Sequence, residues 1–184
     1  MERKYIVGIV ILIIIIGGAF LYANKVMKEK ESLNETEYLK VSQNGVSILV
    51  PGNWVKASSE SNSSILAVAD PSSNDLRGFS QVNINIEKKA ITDSLDSEFN
   101  RNYNTLSSTS GYQVLFTGNV SGIAGHSGLE ADYLSNMMAG TKQHKAIWIE
   151  KEGYAYVILC TAPQSSFESN EMIFNQIIGN FKFT

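Results

Sequence analysis

Nineteen consecutive residues, Tyr5 to Ala23, carry no charge; 16 are apolar and the other three are glycine. As a helix rising 1.5 Å per residue, such a run spans roughly 28 Å, close to the hydrocarbon core of a bilayer. A run this long with no polar face is not the pattern of a buried core helix. Arg3 and Lys4 precede it and Lys25, Lys28 and Lys30 follow it, so the positive-inside count is nearly balanced. A short cationic start followed at once by the apolar run is the layout of a signal anchor, with the N-terminus inside and the body outside. Gly17-Gly18-Ala19 offers a small-residue cleavage site, but the apolar stretch continues through Phe20-Leu21-Tyr22. That predicts an uncleaved transmembrane helix over 1–23 that partners with membrane lipid. No cysteine stands directly after it, which excludes a lipoprotein anchor.

The remainder is about 39% apolar, against 43% for the whole chain. It suffices for one domain with a real core and is too short for two large ones. Residues 24–37 are charged and helix-permissive; they read as a stalk, or equally as a disordered tether. Residues 38–184 form the extracytoplasmic domain. From Tyr38 onward there are 10 Lys/Arg and 13 Asp/Glu, with no basic cluster beyond Lys88-Lys89. A nucleic-acid surface, which needs concentrated cations, is excluded. The single cysteine, Cys160, excludes a disulfide framework and a thiolate zinc site. Sequons at Asn34, Asn62 and Asn119 fit an outside location, but a chain this rich in Asn, Ser and Thr carries that many by chance.

Within the domain, Asn44-Gly45 is the dipeptide of a type I′ turn and predicts a hairpin pairing Val41 with Ile48 and Leu39 with Val50. Pro51-Gly52-Asn53-Trp54 ends its second strand. Ile65–Ala69 is a short apolar strand. Phe79–Glu87 alternates, predicting Val82, Ile84 and Ile86 inward and Gln81, Asn83, Asn85 and Glu87 on a wet face. Thr92 or Asp93 caps a helix carrying Leu95, Phe99, Tyr103 and Leu106 at helical spacing. Tyr112–Thr117 is a strand, followed by a glycine-punctuated stretch from Gly118 to Gly128. Leu129–Leu134 and Lys142–Lys151 pair across Met137–Gly140. Glu152-Gly153 turns the chain into Tyr154–Thr161. Pairing Lys151 with Tyr154 leaves both faces of that hairpin apolar, so it is central and covered on both sides. Ser165 and Glu168 form a capping box for a helix carrying Phe167, Phe174, Ile177 and Ile178 and stopped by Gly179. Phe181-Lys182-Phe183 finish as a short strand or a tail. The fold class is α+β: one mostly antiparallel sheet of six or seven strands in a three-layer α/β/α sandwich.

Three segments in this order, "VSILVPGNW" (Val46–Trp54), "GIAGHSGLEADY" (Gly122–Tyr133) and "EGYAYVILCTAP" with "FNQIIGNFKF" (Glu152–Pro163, Phe174–Phe183), resemble the PsbP-like family. Its namesake is an extrinsic subunit of the photosynthetic oxygen-evolving complex. With the anchor and stalk, the chain looks most like the single-pass PsbP-related proteins of methanogenic archaea. The resemblance implies a non-catalytic domain that binds or steadies a protein partner at the outer face of the cell membrane.

The residues offer little chemistry. HExxH, CxxC, a P-loop and a nucleophile elbow are all missing. Gly125-His126-Ser127-Gly128 lacks G-x-S-x-G spacing and leads into a strand rather than a helix. Gly118, Gly122, Gly125 and Gly128 do not make GxGxxG. His126, Glu130, Asp132 and His144 are the one conceivable metal set. Asp132, however, falls opposite Lys145, which an ion pair explains, and His144 falls on the other face. Cys160 reads as a core residue, Trp54 and Trp148 as core anchors, and Met137-Met138 as a loop-tip pair, exposed or folded back. No catalytic, cofactor-binding or metal residue is assigned, and no cofactor is expected. A second reading is an extracytoplasmic protein binding a small ligand or metal ion; a hydrolase is the third.

Overall fold

The computed structural model describes residues 37–137 and 140–184. The anchor and nearly all of the stalk lie outside them, as do Asn34 and Met138. Among the described residues no helix is long and apolar enough to cross a membrane.

The chain opens with the hairpin β1 (Tyr38–Gln43) and β2 (Val46–Pro51). Its register is the expected one, Val41 with Ile48 and Leu39 with Val50. Asn44 and Gly45 both take positive φ, 49° and 82°, which a type I′ turn requires. β3 (Val55–Lys56), β4 (Ser64–Ala69) and β5 (Asn83–Ala90) precede helix α1 (Leu95–Ser107). Two long hairpins follow: β6 (Tyr112–Ile123) with β7 (His126–Met137), and β8 (Gly140–Lys151) with β9 (Tyr154–Pro163). Helix α2 (Gln164–Gly179) and β10 (Lys182–Phe183) complete the domain.

Where one sheet was expected there are two. Seven strands run in the order β3-β4-β5-β9-β8-β7-β6, and β1-β2-β10 form a separate three-stranded sheet. β10 returns from the far end of the chain to pair Phe183 with Val46, a non-local pairing that no local pattern announces. The β8–β9 hairpin is central and buried on both faces, with Lys151 opposite Tyr154 as expected.

Each face of the large sheet has its own core. On one, Leu95, Phe99, Tyr103 and Leu106 of α1 cover Ala146, Trp148, Val157 and Leu159. On the other, α2 contributes Phe167, Phe174, Ile177 and Ile178, and the small sheet adds Val46, Ile48 and Val50. They cover Ile84, Ile86, Ile147, Ile149, Ile158 and Cys160. The architecture is α+β, with α1 on one side and α2 plus the small sheet on the other. Trp54 and Trp148 are both buried. The Trp148 indole N–H donates to the Tyr103 hydroxyl at 3.0 Å.

Both helix starts differ from expectation. The N-cap of α1 is Ser94, whose hydroxyl accepts from the Ser97 backbone N–H at 3.1 Å. Thr92 instead donates to Glu98 at 2.7 Å. α2 begins one residue before Ser165, directly after Pro163, and has no side-chain cap. It also runs through Gly179 to a cap at Asn180. Ser94→Ala is expected to cost about 1 kcal/mol, the usual worth of a single N-cap, read as a shift in urea midpoint with an unchanged slope.

Candidate functional site

β5 holds the first surprise. Its polar face is dry: Asn83, Asn85 and Glu87 are buried as fully as Ile84 and Ile86. Alternation was right about the strand's two faces and wrong about water, because this sheet is covered on both sides. Burying polar groups is tolerable when they are paired. Ser64 Oγ donates to Asn85 Oδ1 at 2.6 Å, and Asn85 Nδ2 donates to Glu87 Oε1 at 3.2 Å. The Lys89 ammonium lies 2.6 Å from Glu87 Oε2, an ion pair held by proximity rather than along a hydrogen-bonding direction. That ammonium also sits 5.6 Å from the Trp148 ring centre.

Two strands away on the same face, His144 is buried between two hydroxyls. Its Nε2 is 2.8 Å from Ser135 Oγ and its Nδ1 is 2.9 Å from Thr161 Oγ1. Tyr133 stacks on the ring at 4.5 Å. Burial, aided by the charge of Lys142, pushes the imidazole pKa down to about 3. The ring is neutral at physiological pH and walled off from solvent, so it knits strands together and has no route to a substrate.

The conceivable metal set does not converge. His144 faces α1, whereas Glu130 and Asp132 face α2, and His126 lies four residues along β7 from Glu130, roughly 13 Å in a strand. Asp132 does stand opposite Lys145. The ion pair expected there forms elsewhere: Lys145 Nζ reaches Glu130 at 2.9 Å and Glu171 of α2 at 3.3 Å. One carboxylate oxygen of Asp132 is left without a hydrogen-bond partner. Burial raises the Asp132 pKa, against the pull of Lys145. Burial alone would lower Lys145, but its bond to Glu130 and the nearby carboxylates outweigh it and raise the lysine. Cys160 is fully buried, and burial pushes its thiol well above the ordinary range, away from the reactive thiolate.

What faces solvent is different in kind. β6 is the outermost strand of the large sheet, twelve residues long. Glycine reads as a break and predicts an end at Thr117; the strand instead runs on through Gly118 and turns at Ala124-Gly125. The Phe116 ring lies over Gly118, so closely that a Cβ there would come within 2.6 Å of Phe116 Cζ. The register with β7 shifts between Val114 and Phe116, leaving Leu115 as a bulge residue. Leu115 and Phe116 are 47% and 51% exposed. None of the twelve residues is charged. The opposite edge, β3, has two residues, one of them lysine. Folded proteins protect sheet edges by shortening, charging or bulging them, and β6 has only the last, at Val114–Phe116 and Val120–Ile123. This domain shortens and charges β3 and leaves β6 long, neutral and partly apolar. The missed signal was present: a twelve-residue stretch with no charge, following a helix and ending in a two-residue turn.

No family model matches the chain, and no curated protein does. Solved structures do. The chain is similar to the solution structure of the cyanobacterial PsbP (CyanoP) of Synechocystis sp. PCC 6803, with a TM-score of 0.61 and 11% identity over 86% of this chain and 99% of that one. LpqN of Mycobacterium tuberculosis, described as involved in cell envelope biogenesis, has a TM-score of 0.56 and 14% identity over 80% of this chain and 91% of its own. The Ran-binding protein Mog1p of Saccharomyces cerevisiae has a TM-score of 0.52 and 11% identity over 81% of this chain and 96% of its own. At such identities the likeness speaks for the fold alone: this chain has a PsbP/Mog1-like fold.

Proposed function

We propose that this chain is a non-catalytic binding domain, held at the outer face of a cell membrane by residues 5–23, that takes up an extended segment of a partner protein along β6. The observation that carries this reading is the long, uncharged edge, a twelve-residue strand with Leu115 and Phe116 exposed. A partner strand added there gains a ladder of backbone hydrogen bonds and two apolar contacts. The lack of charge favours a neutral, apolar segment over an acidic or basic one. A Ran-binding protein of the same fold makes protein binding a reasonable use of the scaffold. The archaeal comparison and the tether rest on the sequence reading of the anchor.

A photocrosslinker at Thr117 in the membrane-embedded full chain tests this. The expected result is one discrete heterologous adduct, reduced at least tenfold by Leu115→Lys, the effect of about 1.4 kcal/mol. Leu115 is half exposed, so that variant should melt as the parent does. An adduct indifferent to Leu115→Lys, or none, overturns the proposal; a self-adduct assigns the edge to a second copy instead.

A further inference from the structure

Three tight turns gather at one end of the domain, those at Asn44-Gly45, Ala124-Gly125 and Glu152-Gly153, each with both residues at positive φ. Beside them opens a shallow cleft of about 430 Å³ lined by Ala124, His126, Lys151, Lys182 and Phe183. Its floor is an aromatic cluster. The Phe183 ring meets Tyr156 at 4.8 Å, Phe181 at 5.0 Å and His126 at 5.4 Å, each with the ring planes near perpendicular, and is itself part of the cleft lining. Lys151 holds its ammonium 4.4 Å from the centre of that ring. A further lysine, Lys88, sits over Tyr154 at 4.0 Å and within 5.5 Å of Tyr156.

The charge here runs against the chain's net of −3. No carboxylate side chain lines the cleft. Glu152 lies 3.8 Å from Lys151 and is 80% exposed, a weak surface pair. Lys182 makes no ion pair among the described residues. Ala124 also holds a left-handed conformation, φ 49°, that costs an alanine roughly 1–2 kcal/mol. The two-residue Ala124-Gly125 turn imposes it, as the Asn44-Gly45 turn does on Asn44.

We infer that this cleft binds a small organic anion, a phosphate or carboxylate group carried on a flat apolar body. The body packs on Phe183, and the anion is met by Lys151, Lys182 and the ring N–H of His126. Two ammonium groups flanking an aromatic floor discriminate such a molecule from a bare anion, which gains nothing from the ring, and from a neutral ring, which leaves the lysines unpaired. A lipid headgroup carries the same anion, but the chain enters at the other end of the small sheet. Tyr38 pairs with Pro51, whereas Phe183 pairs with Val46, five residues or about 17 Å away. On the tether reading above, the point of entry and the cleft lie at opposite ends of the small sheet, which favours a soluble occupant over a headgroup.

Lysine acetylation footprinting of the full chain in phosphatidylcholine nanodiscs tests this, with phenyl phosphate as probe. Phenyl phosphate is expected to shield Lys151 and Lys182 severalfold while leaving Lys40 and Lys56 reactive, with phenol and inorganic phosphate much weaker. In calorimetry, Lys151→Gln and Lys182→Gln should each weaken phenyl phosphate about tenfold or more. Phe183→Leu should weaken phenyl phosphate without changing inorganic phosphate. Uniform shielding of all lysines, no shielding, or equal binding of phenyl and inorganic phosphate overturns the proposal. Shielding of Lys151 and Lys182 on adding phosphatidylglycerol to the nanodisc, without probe, overturns the soluble occupant and assigns the cleft to the bilayer. None of these readouts depends on the β6 edge.

Discussion

Lys89→Met is expected to destabilise the domain by about 3–5 kcal/mol, the usual result of stripping one partner from a buried ion pair. Glu87 has no exposed surface, and Lys89 is 16% exposed. Methionine preserves the length of the lysine stem and its packing beside Trp148, so the loss isolates the charge rather than the volume. What remains is a carboxylate on a covered sheet face with one amide hydrogen bond, from Asn85. The expected signature is a lower urea midpoint with an unchanged slope, followed by the fluorescence of Trp54 and Trp148. The double variant Glu87→Gln with Lys89→Met should recover most of the loss, because a neutral amide needs no counter-ion. If Lys89→Met alone costs under 1 kcal/mol, water reaches Glu87 and the pair is a surface one in energetic terms.

The β5 polar row also shows what the sequence can and cannot convey. Period-2 alternation reports which side chains share a face, and it placed Asn83, Asn85 and Glu87 together correctly. It does not report what covers that face. The two-sided β8–β9 hairpin was legible because both of its faces are apolar, which leaves burial as the one physical outcome. A polar face admits two outcomes, water or buried partners, and the partners here lie on β4 and at position 89 of the strand itself. Register was legible wherever a two-residue turn fixed it: Asn44-Gly45 sets Val41 against Ile48, and Glu152-Gly153 sets Lys151 against Tyr154. Side-chain partnership was less so. Lys145 faces Asp132 across the ladder, yet its long stem reaches diagonally to Glu130 and across to Glu171 on α2. The β6 edge was hidden for a related reason. Glycine weakens a strand's propensity, but pairing with β7 and the Phe116 ring over Gly118 carry the strand past it.

His144 supplies the second large effect, a stability that falls on mild acidification. In the folded domain burial and Lys142 hold its pKa near 3, while in the unfolded chain it returns to about 6.5. A depressed folded pKa means that between those values the unfolded chain binds a proton that the native state refuses. Stability is therefore fully present above pH 6.5 and declines as pH falls toward 3. At pH 4.5 the unfolded state is favoured by about two units of proton affinity, or about 2.5–3 kcal/mol at 1.36 kcal/mol per unit. Asp132 acts in the opposite sense, since burial raises its pKa and lets the native state take up a proton first, but it does so in the parent and a His144 variant alike and drops out of their comparison. Urea unfolding at pH 7.5 and 4.5 measures the difference. His144→Asn should start lower at pH 7.5, because it cannot span both Ser135 and Thr161, and should lose about 2.5–3 kcal/mol less than the parent on acidification. Equal losses in parent and variant would mean that the imidazole takes up its proton in the folded state, donating from both ring nitrogens to the Ser135 and Thr161 hydroxyl oxygens.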